Sequence, residues 1–125
     1  MAQETDSTRQ PAAPASDAPA IPTCHAIKVE FSGDVFLVNV ALEGELIPLV
    51  LDPADGNWKS KLFAAFPVVG DMDTYLFCKG INGTAWKLQL CVDKRSAIRE
   101  GVIRKGFGYL GEQIALPLPD VGAKP

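Results

Sequence analysis

Four groups of residues in this chain are of types that can do chemistry. Asp52 closes the apolar run Leu49-Val-Leu, and Asp55 follows three residues later. An aspartate at the end of an apolar strand is a candidate for acid–base work when a second carboxylate is brought to it. His25, the only histidine, adjoins Cys24, and a thiol beside an imidazole is the raw material of nucleophilic catalysis. Gly106-Phe-Gly-Tyr-Leu-Gly111 matches the G-x-G-x-x-G spacing of phosphate-cradling loops. Residues 94 to 105 carry five positive charges, Lys94, Arg95, Arg99, Arg104 and Lys105, against the single acid Glu100.

Each group needs a particular local structure. A dinucleotide loop requires a strand before it and a helix after it. Pro117 and Pro119 block that helix, so the glycines read as a bend or bulge between strands, and no cofactor is expected. Adjacent residues on a strand point to opposite faces, which separates the Cys24 thiol from the His25 ring. Three scattered cysteines and one histidine lack the paired spacing of zinc ligands, so no metal site is expected.

The stretch Leu49-Val-Leu-Asp52, with Asp55 and the later Tyr109-Leu-Gly111, resembles the retropepsin-like aspartic proteases. The resemblance could span about Val35 to Leu116. It implies a small β protein that pairs two chains to assemble two catalytic aspartates. Asp52 would be the catalytic position, residues 75 to 92 the flap, and Tyr109 to Gly111 the late supporting element. The family follows its aspartate with Thr or Ser and then Gly. Here Pro53 and Ala54 follow, and Pro53 supplies neither a hydroxyl nor an N–H to hold paired carboxylates. Asp52-Pro53 is therefore read first as the opening of a loop.

The basic segment 94–105 could bind single-stranded nucleic acid beside aromatic residues. Formal net charge is −3, and residues 30 to 55 hold six acids and no base. Nucleic acid is accordingly disfavoured. The five cations read better as a solvated interaction surface, or as a complement to the acidic half within an oligomer.

The elements that must position these residues are strands. Asn82-Gly83 separates Thr74–Ile81 from Thr84–Val92, the strongest short-range hairpin signal. With a type I′ turn, Ile81 faces Thr84 and Lys79 faces Trp86. One face then buries Tyr75, Phe77, Ile81, Trp86, Leu88 and Leu90. The other carries Cys78 and Cys91, about 13 Å apart along the ladder and too far for a disulfide. Residues 24–31 and 35–42 read as two more strands joined through Gly33, with Ile27, Val29 and Phe31 on one face. The second is apolar on both faces and so central. Glu43-Gly44 is a turn, and a strand over 45–51 contains Pro48, which favours an edge or a bulge. Trp58, Leu62, Phe63 and Phe66 fit one face of a short helix. Residues 93–105 are helix or strand, and a last strand covers 109–116. The expected fold is mainly β: a small antiparallel barrel or sandwich of about five to seven strands with one or two short helices.

The chain divides into an Ala/Pro-rich arm over 1–23, a single compact β domain over 24–117 and a tail over 118–125. The arm holds almost no large apolar side chain and reads as disordered or extended. Three cysteines, an odd number, argue for free thiols and a reducing, cytoplasmic setting. No run approaches a membrane span, and no secretory leader is visible. The Ala/Pro-rich composition is associated with bacterial and bacteriophage chains, where a virion location is also open. The expected function is a non-enzymatic protein-binding or structural accessory module. It uses the β domain and the arm to join a protein partner or a homo-oligomeric assembly.

Overall fold

A computed structural model describes residues 21–119. Ten strands follow one another: β1 (Thr23–Ser32), β2 (Val35–Leu42), β3 (Glu45–Ile47), β4 (Val50–Asp52), β5 (Asn57–Lys59), β6 (Phe63–Val68), β7 (Met72–Gly80), β8 (Ala85–Val92), β9 (Arg95–Val102) and β10 (Phe107–Ile114). They form two antiparallel sheets. Sheet 1 has the order β9-β8-β1-β5-β4, with β6 pairing the first part of β1 on the side where β5 pairs its end. Sheet 2 has the order β10-β7-β2-β3. The described residues contain no helix and no closed barrel. The fold is thus mainly β and antiparallel, with ten strands among the described residues where about five to seven were expected. The surplus comes from short pieces that local turns cut out of longer runs. The arm over 1–23 lies outside the described residues up to position 20, as does the tail from 120.

Inward faces of both sheets meet in one hydrophobic cluster. Sheet 1 contributes Ile27, Val29 and Phe31 from β1, and Trp86, Leu88, Leu90 and Val92 from β8. Sheet 2 contributes Val40, Leu42, Met72, Leu76 and Cys78, and Leu118 closes the cluster beyond the last strand. Full burial of such aliphatic side chains is worth roughly 1.5–3 kcal/mol each, which makes this shared core the principal stabilising element.

The Asn82-Gly83 hairpin does not form. β7 lies in sheet 2 and β8 in sheet 1, so Lys79 never faces Trp86. The turn itself is present, with Thr84 N–H donating to the Ile81 carbonyl at 3.1 Å. Of its two central residues only Gly83 has a positive φ, 92°. That is the hand of a type II turn, which splays strands, whereas type I′ matches their twist. Asn82 spends its side chain elsewhere: its Oδ1 accepts from Gly106 N–H at 2.7 Å. Two-residue turns with positive φ at both positions occur instead at Glu43-Gly44, Asp93-Lys94 and Lys105-Gly106, joining β2 to β3, β8 to β9 and β9 to β10.

Splitting the hairpin reverses one of its faces. β8 buries Trp86, Leu88 and Leu90 as expected. β7 buries Met72, Thr74, Leu76 and Cys78, leaving Tyr75 exposed, Phe77 half-buried and Ile81 exposed. The Ser32–Asp34 loop likewise crosses between sheets rather than pairing β1 with β2. Pro48 cuts the expected third strand in two, with β3 on the edge of sheet 2 and β4 on the edge of sheet 1. A residue with no ladder N–H is tolerated at such a crossing.

The helix expected over 58–66 is the strand pair β5 and β6. On β6 three steps, Phe63 to Phe66, stand against two on β1, Ile27 to His25. The extra residue is Ala65, with φ 62°. A bulge returns both phenylalanines to the same side, where their rings lie 6.3 Å apart. A spacing of three then imitates helical periodicity. An alanine in the left-handed region is strained by roughly 1 kcal/mol, so Ala65→Gly is expected to stabilise the protein by about 0.5–1 kcal/mol. A higher urea midpoint at unchanged slope would show it; a lower midpoint would contradict the strain assignment.

Candidate functional site

An antiparallel sheet with one face on the core normally turns a polar face to water. The outer face of sheet 2 does not. Register sets its rows. Phe107, Lys79 and Leu37 lie side by side across β10, β7 and β2. Tyr109, Phe77 and Asn39 form the next row, and Gly111, Tyr75 and Ala41 the third, with Leu46 of β3 continuing it. Side chains two residues apart on one strand share a face, so these rows are stacked.

Four aromatic rings connect across the rows. Phe77 and Phe107 stack at 5.7 Å between centroids, and Tyr75 and Tyr109 meet edge-on at 5.3 Å. Both pairs are diagonal neighbours on the sheet, within reach of large side chains. Gly111 makes the second pair possible. A Cβ at that position would lie 2.5 Å from the Tyr109 hydroxyl oxygen, so the missing side chain is the bed in which the phenol rests. Exposure remains high despite the contacts: 58% for Tyr109, 45% for Phe107 and 41% for Tyr75. Phe36, the extra residue of a bulge in β2 opposite Gly80 and Lys79, is also exposed. Beyond Tyr75 and Gly111 the face runs into a depression of about 530 Å³ bordered by Gly44, Asp73 and Gln113.

The two pairs are rigid aromatic surface bordered by Lys79, Asn39, Asp73 and Gln113. Such a surface can offer ring faces, phenol O–H groups and one cation to a ligand, which is recognition chemistry. Contiguous exposed apolar surface of this kind marks interaction sites in soluble proteins.

The residues singled out by their chemistry fall elsewhere and apart. Asp52 ends β4, and Tyr109 to Gly111 lie in the other sheet. The carboxylate of Asp52 accepts from Lys59 Nζ at 2.9 Å and from Ala54 N–H at 2.9 Å. Lys59 also reaches Asp55 at 2.7 Å, closing the β4–β5 turn with one ammonium between two carboxylates. That ammonium, with a backbone N–H on each, holds both carboxyls below the usual aspartate range. Asp52 borders a shallow apolar depression of about 490 Å³, but its charge is already paired inside the turn. The segment expected as a flap, 75–92, is the pair of strands that separate into two sheets.

The basic segment forms β9 and its two flanking turns. Arg99 donates to Glu112 of β10 through Nε at 2.9 Å and Nη2 at 2.7 Å, so the edges of the two sheets are tied by a bidentate pair. Arg95 donates to the Leu118 carbonyl at 2.9 Å. Lys94, Arg104 and Lys105 remain exposed, with Lys94 at one end of the strand and the other two at the opposite end. Eight strand residues span about 26 Å. The five cations are therefore not one patch.

His25 has a partner that sequence spacing gave no hint of. Its Nδ1 lies 2.6 Å from Asp93 Oδ2, while Asp93 Oδ1 accepts from Ala26 N–H at 2.9 Å. The contact pins the β8–β9 turn to β1. Cys24 is exposed, Cys91 half-buried and Cys78 buried, all three with free thiols. Burial pushes the Cys78 thiol up, opposite to the shift of a reactive thiolate. Cys78 faces the core from sheet 2 and Cys91 belongs to sheet 1, so they share no face. Among the described residues no three of His, Cys, Asp and Glu converge as metal ligands would. No family model, no curated protein and no solved structure matches this chain.

Proposed function

We propose that this protein is a non-enzymatic binding module, and that the outer face of sheet 2 is its contact surface for a protein partner. One observation carries the reading: four aromatic rings, paired and bedded on β7 and β10, on the outer face of a sheet, which is ordinarily polar. Tyr and Phe supply large contact area at little conformational cost, which is why they anchor interfaces. The candidates for catalysis support this by their engagement: Asp52 with Lys59, and His25 with Asp93. The dispersal of Lys94, Arg95, Arg99, Arg104 and Lys105 disfavours nucleic acid. The aromatic face itself carries Lys79 in the row of Phe107, and Arg104 pairs with Phe107 at its margin, among neutral and acidic neighbours.

Affinity capture with the full chain tests it. Proteins retained by the wild type should be lost with Tyr75→Ser/Tyr109→Ser and kept with the control Lys94→Ser, while the unfolding midpoint of each variant stays near wild type. Capture that does not change when both tyrosines are removed would reject this face as the contact.

A further inference from the structure

We infer that the aromatic face binds a second copy of itself, two sheets 2 packing face to face about a two-fold axis that runs across their strands. This rests on the binding reading above and names its partner.

Charge is the first argument. The face is polarised along its strands. Lys79 stands at one end, with Arg104 and Lys105 in the adjoining β9–β10 turn and Asp34 as the nearby acid. Asp73 and Glu43 stand at the other end, where Glu43 Oε2 accepts from Asp73 N–H at 2.7 Å, with Asp71 and Glu45 close by in sequence. Among the described residues no ion pair engages Lys79 or Asp73. A two-fold axis across the strands turns the second copy end for end. Each basic end then covers an acidic end, twice in the pair, whereas copies running the same way would set Lys79 on Lys79. Such complementarity fixes orientation and register.

Register is the second. Leu76 pairs with both Leu110 and Val40, so one row crosses the middle of the face. An axis along that row sets Lys79 over Asp73 of the second copy and Tyr75 over Phe77 of the second copy. Packed sheets cross at about 30°, so the ends, about 10 Å from the axis, slip by about one strand spacing. Lys79 then falls on Asp73 or on a neighbour in its row, Glu43 or Gln113, each an acceptor.

Relief is the third. Phe107, stacked on Phe77, projects beside Lys79 and is 45% exposed. The depression of about 530 Å³ lies at the acidic end, bordered by Gly111, Asp73 and Gln113. The same axis carries Phe107 to Gln113 of the second copy, so the projection of each copy enters the hollow of the other. Area suffices. Four strands at ~4.8 Å spacing and about 30 Å of β7 give a footprint on the order of 500–600 Å² before side-chain relief is counted. A standard interface takes about 800 Å² of accessible surface from each partner.

Sedimentation equilibrium of the full chain decides the matter. At about 50 µM the wild type should be a dimer, because interfaces of this size bind at micromolar concentration or tighter. Tyr75→Ser/Tyr109→Ser should raise the dissociation constant about tenfold or more. Lys79→Asp leaves acid at both ends of β7, and Asp73→Lys leaves base at both. Each alone should raise the constant about tenfold or more, and their equimolar mixture should form a heterodimer within about threefold of wild type, since both ends pair again. Recovery in the mixture also shows that both variants are folded. A monomeric wild type, a dimer indifferent to the two tyrosines, single charge variants that dimerise like wild type, or a mixture that stays monomeric would each overturn the inference. A monomer whose capture of proteins still depends on Tyr75 and Tyr109 rejects the second copy alone and leaves the face as the contact for a different protein.

Discussion

Trp86→Ala is expected to lower stability by about 3–5 kcal/mol, the usual range for removing a buried tryptophan. The indole is 5% exposed and stacks on Phe31 with ring centroids 6.3 Å apart. Its surroundings are cut to its shape. A Cβ at Gly101 would lie 2.3 Å from Trp86 Cζ2, and one at Gly108 would lie 2.5 Å from Nε1 and 3.0 Å from Cys78 Sγ. β9 and β10, the adjoining edges of the two sheets, thus both use glycine to admit one ring. Gly101→Ala and Gly108→Ala should each cost about 1–3 kcal/mol by overpacking. The signature of the mechanism is coupling. In the Trp86→Ala background the same glycine substitutions should become neutral or stabilising, because the added methyl enters the vacated space. Additive losses in a urea-denaturation cycle would refute the fit described here. Among the described residues Trp86 Nε1, which is buried, has no hydrogen-bond partner. Trp86→Phe removes that donor along with part of the ring, so it should cost well under half of the alanine variant's loss.

This packing explains why the face of β7 was misread from sequence. Alternation divides a strand into two faces but does not say which is inward. Tyr75, Phe77 and Ile81 outweigh Leu76, Cys78 and Gly80 in bulk, so size alone sends the first set to the core. The core is instead already filled from across by Trp86, and the residues opposite must be small. Cys78 and Gly108 pair across β7 and β10 and leave that room. The large residues are displaced to the outer face, where they make the candidate contact surface. Tyr75 and Phe77 were therefore legible as one face of β7, with the sign of their burial reversed, whereas Phe107 and Tyr109 come to them only through the long-range pairing of β7 with β10.

Turns were misread for a related reason. Asn-Gly is the favoured pair for a two-residue hairpin, yet side-chain contacts decide between turns of nearly equal cost. Asn82 braces the β9–β10 turn, while Asp93-Lys94 forms the tight hairpin because Asp93 has partners on β1. Those partners lie 67 and 68 residues away, beyond any local pattern. What local chemistry did reveal is the strand alternation of 27–31 and 86–90, the Glu43-Gly44 turn and the edge position that Pro48 favours.

Asp93→Ala is expected to cost about 2 kcal/mol at neutral pH, roughly 1 from two lost solvent-exposed hydrogen bonds and roughly 1 from an alanine at positive φ. Asp93 sits at φ 54°, a conformation that Asp and Asn tolerate and Ala does not. Asp93→Asn keeps the turn and can still accept from Ala26 N–H, so it should lose less than half as much. The difference between these variants separates backbone from charge. The His25 ring, then Ala26 N–H, holds the Asp93 carboxyl below its ordinary 3.8. A carboxyl that binds its proton less tightly folded than unfolded contributes stability above the unfolded value and loses it as pH falls through the folded one. Wild type should therefore converge on Asp93→Asn as pH drops from about 5 to below 3, while Asp93→Ala stays beneath both. Urea midpoints for the three proteins across that range give the answer. A gap between wild type and Asp93→Asn that does not shrink in acid would show that His25 and Asp93 hold the turn by shape and not by charge.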